Sequence, residues 1–132
     1  MTVAYDPSSR FEIKTWDTEF RRIPTRTLMA RVYQPQGAGP FPVLLDLHGG
    51  AWNNQDRTAN AMMDEALAKS GILVVAIDLT RAREAPYPAS IQDANFGVRW
   101  LKQRARDWNG DATTIGALGS SSGGHEIELC AM

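Results

Sequence analysis

Two kinds of hydrophobic pattern follow one another along this chain. Residues 11–20, Phe11-Glu12-Ile13-Lys14-Thr15-Trp16-Asp17-Thr18-Glu19-Phe20, partly alternate apolar with polar, and Leu28 to Tyr33 are rich in strand formers. Both stretches predict strands with one wet face. After the turn cluster Gln34-Pro35-Gln36-Gly37-Ala38-Gly39-Pro40 the alternation stops, and Val43-Leu44-Leu45-Asp46-Leu47 and Ile72-Leu73-Val74-Val75-Ala76-Ile77 are mostly apolar, as strands covered on both faces are. Between them, residues 58–70 predict a helix with Met62, Ala66 and Lys69 along one stripe and Gly71 as a left-handed C-terminal cap.

From Ser90 the periodicity is clearest. Ile91, Ala94, Val98, Leu101 and Ala105 recur at intervals of three and four and make one apolar helical face. Ser90 followed by Asp93 resembles a capping box, and Lys102, Arg104 and Arg106 suit the negative end of the helix dipole. Thr113 to Leu118 predicts the last strand. Two antiparallel strands followed by β-α-β-α-β argue for an α/β fold whose sheet becomes parallel.

Composition narrows the function classes. At 132 residues and 43% hydrophobic content the chain is expected to be one globular domain, and a formal net charge of -1 without a long basic run gives no footprint for nucleic acid or an anionic membrane. The lone Cys130 allows no internal disulfide, and the polar start Met1-Thr2-Val3-Ala4-Tyr5-Asp6-Pro7 lacks a basic-then-apolar signal, so a cytoplasmic location is expected. The aliphatic run Ile72 to Ile77 is far too short to span a bilayer. No internal repeat or low-complexity segment is present, and no cofactor or metal is implied.

The candidate chemistry sits after the last predicted strand, in Gly119-Ser120-Ser121-Ser122-Gly123-Gly124-His125. Only Ser121 has glycine two positions before it and two after it, so a G-x-S-x-G frame selects one serine of three. A serine at the tip of a sharp strand-to-helix turn has a strained backbone and a hydroxyl held clear of it, and side chains at the flanking glycines would collide with strand and helix. The first free N–H groups of a following helix favour negative charge developing there. A phosphate cradle fits poorly: no Lys-Ser or Lys-Thr follows, and Gly116 and Gly119 do not fit G-x-G-x-x-G.

His48-Gly49-Gly50-Ala51-Trp52 after one buried strand, Asp78 after the next, Glu84-Ala85-Pro86-Tyr87-Pro88-Ala89-Ser90 before a helix, and the Ser121 segment occur in the order found in α/β-hydrolases. Across roughly residues 10 to 125 the chain resembles the esterase and lipase branch similar to hormone-sensitive lipase. The resemblance implies a mostly parallel sheet flanked by helices and hydrolysis of carboxylic esters. It implies Ser121 as the nucleophile, with backbone amides of Gly49, Gly50, Ala51 and Ser122 as the oxyanion hole. Glycines after a buried strand let amides approach a ligand closely, and each such donor lowers a barrier by roughly 2.7–4 kcal/mol. His48 is expected to brace the oxyanion loop, while His125, one helical turn after Ser121, packs behind it. Trp52 and Tyr87 are weaker candidates for lining a substrate pocket. Asp46 and Asp78 read as hydrogen-bonding loop anchors, since the family's triad acid follows the serine.

The family continues past the elbow with strands that carry the triad acid and histidine, whereas only Glu126 and Glu128 follow Ser121 here. The chain is therefore expected to be an N-terminal piece, an incomplete α/β-hydrolase domain over residues 1–132 that lacks the C-terminal strands, with impaired activity because serine without a base is a poor nucleophile. The alternative is an inactive truncated relative that binds small acyl compounds, with an anion- or nucleotide-binding module behind it. Its expected partners are a small-molecule ester and a second chain, or another copy, at the open edge of the sheet formed by Thr113 to Leu118.

Overall fold

The computed structural model describes residues 10–48, 56–80 and 89–119. Strand β1 (Ile13–Ile23) turns back into β2 (Arg26–Pro35), which is followed by β3 (Phe41–Leu47), helix α1 (Ala61–Lys69), β4 (Leu73–Ile77), helix α2 (Ala89–Arg104), a short 3-10 turn (Ala105–Trp108) and β5 (Gly110–Gly119). The sheet order is β1-β2-β4-β3-β5. The first two pairings are antiparallel, and β3 lies parallel between β4 and β5. This is a mixed sheet with helices on both faces, the α/β class that the patterning implies.

The two faces are unequal. On one side Leu28, Ala30 and Val32 of β2, Val43, Leu45 and Leu47 of β3, and Leu73, Val75 and Ile77 of β4 meet Ala94 and Leu101 of α2 and Ala105 after it. On the other, α1 covers Tyr33, Val74 and Ala76 with Ala68 and part of Leu67. A bulge between Glu19 and Arg21 turns Phe20 into the larger core, where its ring sits 5.7 Å from Trp100 and 6.2 Å from Phe96. Trp108 extends the ring cluster, 5.5 Å from Trp100 and 6.0 Å from Trp16.

Several expectations need correction. β2 has no wholly wet face: Leu28, Ala30 and Val32 are buried on one side and Tyr33 on the other, because α2 and α1 pack on the two faces that an isolated hairpin would expose. The stripe expected on the first helix is wrong. Met62 is 89% exposed, and Ala66 and Lys69 also face outward. The buried positions are Asp64 and Ala68, one turn apart. A buried aspartate is invisible to a hydrophobic pattern, so the pattern picked the face opposite.

The Gly71 cap is observed in full. Gly71 has φ +103°, its N–H donates to Ala68, and the Ile72 N–H donates to Leu67, the paired bonds of a Schellman motif. Ile115 is partly buried against the larger core rather than free on the sheet edge. Among the described residues β5 pairs only with β3. At its start β5 slips against β3 between Phe41 and Val43, and Asp111 fills that irregularity by accepting the Thr113 N–H at 2.9 Å and the Thr114 hydroxyl at 3.0 Å. Among the described residues no helix is long and apolar enough to cross a membrane.

Candidate active site

β3, β4 and β5 end together. In the parallel register Leu47 pairs with Ile77 on one side and with Gly119 on the other, so the carboxyl ends of all three strands lie at one end of the sheet. In open α/β sheets the crevice beyond the carboxyl ends of the strands is where ligands bind. His48 follows β3, Asp78, Leu79 and Thr80 follow β4, and Gly119 closes β5.

His48 is buried, and its Nε2 accepts the Leu79 N–H at 3.2 Å. That bond makes Nε2 the unprotonated nitrogen at this site. Arg57 returns to the next residue along: its backbone N–H donates to Asp78 Oδ1 at 2.9 Å, and its guanidinium reaches both Asp78 oxygens at 3.3 and 3.4 Å. His48 and Arg57, which stand on either side of residues 49–55 in the sequence, are thus fastened to the adjacent residues Leu79 and Asp78.

Asp78 holds more than that loop. Its Oδ2 accepts the Met29 N–H at 3.0 Å and lies 3.6 Å from Arg26, whose guanidinium also donates to the Leu79 carbonyl at 2.9 Å. Arg57 extends the chain of charge to Asp17, which receives a two-pronged hydrogen bond from Arg31 at 2.9 and 3.1 Å. The Arg31 hydrogen bond, and then that of Arg57, hold the Asp17 carboxyl down at about 2 despite partial burial. The Arg57 guanidinium is raised above its ordinary value by the same Asp17 and by Asp78.

Behind Thr80, Asp93 of α2 accepts the Thr80 N–H at 2.6 Å and pairs with Arg21 at 3.4 Å. It therefore ties the end of β4 to α2, which differs from the capping-box role its spacing with Ser90 suggests. Burial pushes the Asp93 carboxyl up, against the Thr80 hydrogen bond and Arg21. Under α1, the side chain of Asn60 donates to Asp46 of β3 at 3.0 Å instead of capping its own helix.

Of the residues singled out in the sequence, His48 stands at the carboxyl end of the sheet. Ser121, Ser122, Gly49, Gly50, Ala51, Trp52 and Tyr87 lie outside the described residues, as does His125. Arg57, Arg26, Asn60 and Asp64 were not legible as site supports, because an isolated charged or amide side chain carries no periodic signal. Asp46 and Asp78 were legible: each is a lone carboxylate at the end of an apolar strand. Among the described residues no group of three or more histidine, cysteine or carboxylate side chains could hold a metal ion.

The BD-FAE family model matches residues 31–132. The chain is 34% identical over 105 residues to the carboxylic ester hydrolase LipN of Mycobacterium tuberculosis, covering 79% of this chain and 28% of that protein. It is 36% identical over 101 residues to the carboxylesterase NlhH of the same organism, covering 72% and 30%. Among solved structures it is similar to a hyperthermophilic esterase from the archaeon Pyrobaculum calidifontis, with TM-score 0.81 and 26% identity over 89% of this chain and 38% of that one. The thermostable carboxylesterase EstE1, cloned from a metagenomic library, gives TM-score 0.81 and 27% identity over 92% and 42%. The chain spans under a third of the length of the two curated relatives. Strand order, the shared end of β3, β4 and β5, and these likenesses agree: the chain belongs to the BD-FAE family, within the esterase and lipase branch of the α/β-hydrolases.

Proposed function

We infer that the chain carries the nucleophile half of a carboxylic-ester hydrolase. In this reading Ser121 attacks the ester carbonyl, and the backbone amides of Gly49, Gly50, Ala51 and Ser122 receive the oxyanion. His48 braces the oxyanion loop, and Trp52 and Tyr87 line the substrate pocket. The observation that supports the reading is the register Leu47–Gly119: these two strand-end residues are partners in adjacent parallel strands, and along the sequence each immediately precedes one of the two segments the reading invokes. An oxyanion hole built from two separate segments needs that adjacency, since its donors must converge on one oxygen. The fastening of residues 48 and 57 to Leu79 and Asp78 supports it further, because preorganised donors need a loop with fixed feet.

Ester hydrolysis is also what the names of the relatives state of those proteins. The chain covers under a third of their length, so the proposal concerns attack and oxyanion binding rather than a complete triad. Without a base the hydroxyl stays protonated, and turnover by these residues alone is feeble; removing a triad member leaves about 10³–10⁴-fold over water in intact enzymes. The test is labelling of the 132-residue chain with a fluorophosphonate probe, alongside hydrolysis of p-nitrophenyl acetate. Labelling lost in Ser121→Ala and retained in Ser120→Ala and Ser122→Ala is expected. Label on either neighbour, or full esterase turnover unchanged by Ser121→Ala, refutes the assignment. No labelling at all favours the inactive, acyl-binding alternative.

A further inference from the structure

Two buried carboxyl groups face one another beneath α1, and the functional reading uses neither as an acid or base. Asp46, on β3, is 2% exposed, and Asp64, on α1, is fully buried. Both Asp64 oxygens lack a hydrogen-bonding partner of the ordinary donor kind, and so does the buried hydroxyl of Tyr33, which faces the same helix from β2. Asp46 is different, because the Asn60 amide donates to it at 3.0 and 3.3 Å. Asn60 and Asp64 are one turn apart, so α1 presents an amide donor and a carboxyl group to the same strand residue.

We propose that Asp64 is a neutral carboxylic acid whose O–H donates to Asp46, and that this shared proton is a positioning device docking α1 onto β3. Two buried carboxylates side by side cannot both be charged without a cation, and burying an unpaired charge costs far more than burying a hydrogen-bonded acid. The asymmetry of partners decides which one holds the proton. Asp46 already accepts two contacts from Asn60, which favours it as the acceptor, while Asp64 has no donor aimed at it and gains one bond by supplying its own.

The surrounding charges do not change this. From β2 the facing groups are Tyr33 and Arg31, and Arg31 is committed to Asp17. From α1 itself, Glu65 and Lys69 pair with each other on the outer surface. Burial, and then the hydrogen bond and charge of Asp46, push the Asp64 carboxyl well above the usual range, in the direction the geometry requires. Tyr33 is pushed up as well, by burial and by Asp64.

The location gives the pair its consequence. Asp46 lies two residues before His48, and Asn60 lies three after Arg57, so the bonds among Asp46, Asn60 and Asp64 join the two flanks of residues 49–55. Asp64 would thereby set the distance between those flanks. That this matters for an oxyanion hole rests on the functional reading above; the proton itself does not.

The test reads the proton directly. Infrared spectra of the 132-residue chain, unlabelled and labelled with carboxyl-13C aspartate, are expected to show at neutral pH one isotope-sensitive C=O stretch of a protonated aspartic acid. Asp64→Asn, whose amide can donate to Asp46 in the same place, is expected to abolish that band, to match the parent's unfolding midpoint at pH below the ordinary carboxylate range, and to exceed it at neutral pH, where folding of the parent must protonate Asp64. Asp64→Ala is expected to lower the midpoint at the acid end, where only the hydrogen bond and the packing are lost. The folding equilibrium constant of the parent should fall by about tenfold per pH unit on the alkaline side of the ordinary carboxylate range, and Asp64→Asn should remove that slope. A neutral-pH spectrum without the protonated band overturns the proposal, as does an equal slope in Asp64→Asn. Loss of the band with a rise in midpoint on adding calcium or sodium would also overturn it, since the pair would then be a cation site. Because none of these readings depends on Ser121 labelling, failure of the shared proton and failure of the esterase reading are distinguishable.

Discussion

Arg57 gives Asp78 both its backbone N–H, at 2.9 Å, and its guanidinium, while Asp78 also accepts the Met29 N–H and faces Arg26. The two ends of this relationship are unequal. Asp78 is 3% exposed and has several donors converging on it, whereas the Arg57 side chain is 20% exposed and has Asp17 as a second partner. Asp78→Asn is therefore expected to cost more than Arg57→Ala. The first leaves part-buried cations and a main-chain donor under-satisfied, at about 3–5 kcal/mol. The second keeps the Arg57 N–H in place and leaves Asp78 with Arg26, at about 1–2 kcal/mol. Urea unfolding of both variants and the double variant measures this. The double variant should fall short of the sum, because the partners share one network. Equal costs for the two single changes would show that Asp78 is no hub.

The acid limb of stability is expected to belong to Asp17. Its folded pKa, held down at about 2 by the Arg31 hydrogen bond and then by Arg57, lies below the ordinary carboxylate value, so its contribution is present above pH 3.8 and is lost as the pH falls towards 2. Asp56 is lowered in the same direction: burial opposes the shift, but hydrogen bonds from the Thr58 hydroxyl and N–H outweigh it. Asp64 acts with the opposite sign. Its raised value means a contribution fully present below the unfolded value and lost as the pH rises through the folded one. From these groups the stability curve should peak in mildly acidic solution. Asp17→Asn should flatten the acid limb and Asp64→Asn the falling one. An acid limb unchanged in Asp17→Asn would place the titrating groups elsewhere.

At Gly97 α2 lies tight against Ile77 of β4. A Cβ there would lie 2.8 Å from Ile77 Cδ1, at the tip of a side chain that is itself fully buried. Helix propensity alone favours Gly97→Ala by up to about 1 kcal/mol, since glycine is the poorer helix former. Overpacking a close-packed core costs about 1–3 kcal/mol. The steric effect is expected to win, so Gly97→Ala should lower the thermal midpoint. Combining it with Ile77→Val, which removes the opposing methyl, should recover part of the loss. A stabilised Gly97→Ala would mean that Ile77 repacks freely.

What was readable in the sequence divides along physical lines. The strands and helices announced themselves because burial on one or both faces imposes a period, and Gly71 announced the end of α1 because only a residue without a Cβ takes φ +103° at no cost. The parallel order followed from alternating strand and helix signals. The buried face of α1 was misread because its key residue is Asp64, and what surrounds a carboxyl group in a core is set by residues distant along the chain, which no local pattern contains. Arg57 and Arg26 were hidden for the same reason: their meaning is the contact with Asp78, 21 and 52 positions further on. Spacing can suggest the serine frame, but the support around it is tertiary.

The outer edge of β5 sets the last expectation. Among the described residues β5 has β3 on one side and no strand on the other, and the run Thr114-Ile115-Gly116-Ala117-Leu118 contains no lysine, proline or other device that blunts an edge. Thr113, Thr114, Gly116 and Ala117 are exposed. Open N–H and C=O groups along an edge strand invite another strand, from a second copy or from a partner that supplies the neighbouring part of a hydrolase sheet. The polypeptide of 132 residues, prepared by itself, is therefore expected to self-associate, with an apparent mass in light scattering that rises with concentration. Ile115→Lys would be a poor probe, because that side chain is partly buried against the main core and its loss would unfold the sheet as well. Ala117→Lys places the charge on an exposed position of the same strand and should reduce association while leaving the unfolding midpoint nearly unchanged. A mass that stays monomeric across a hundredfold dilution series refutes the open-edge argument. Association that persists undiminished in Ala117→Lys moves the contact to another surface.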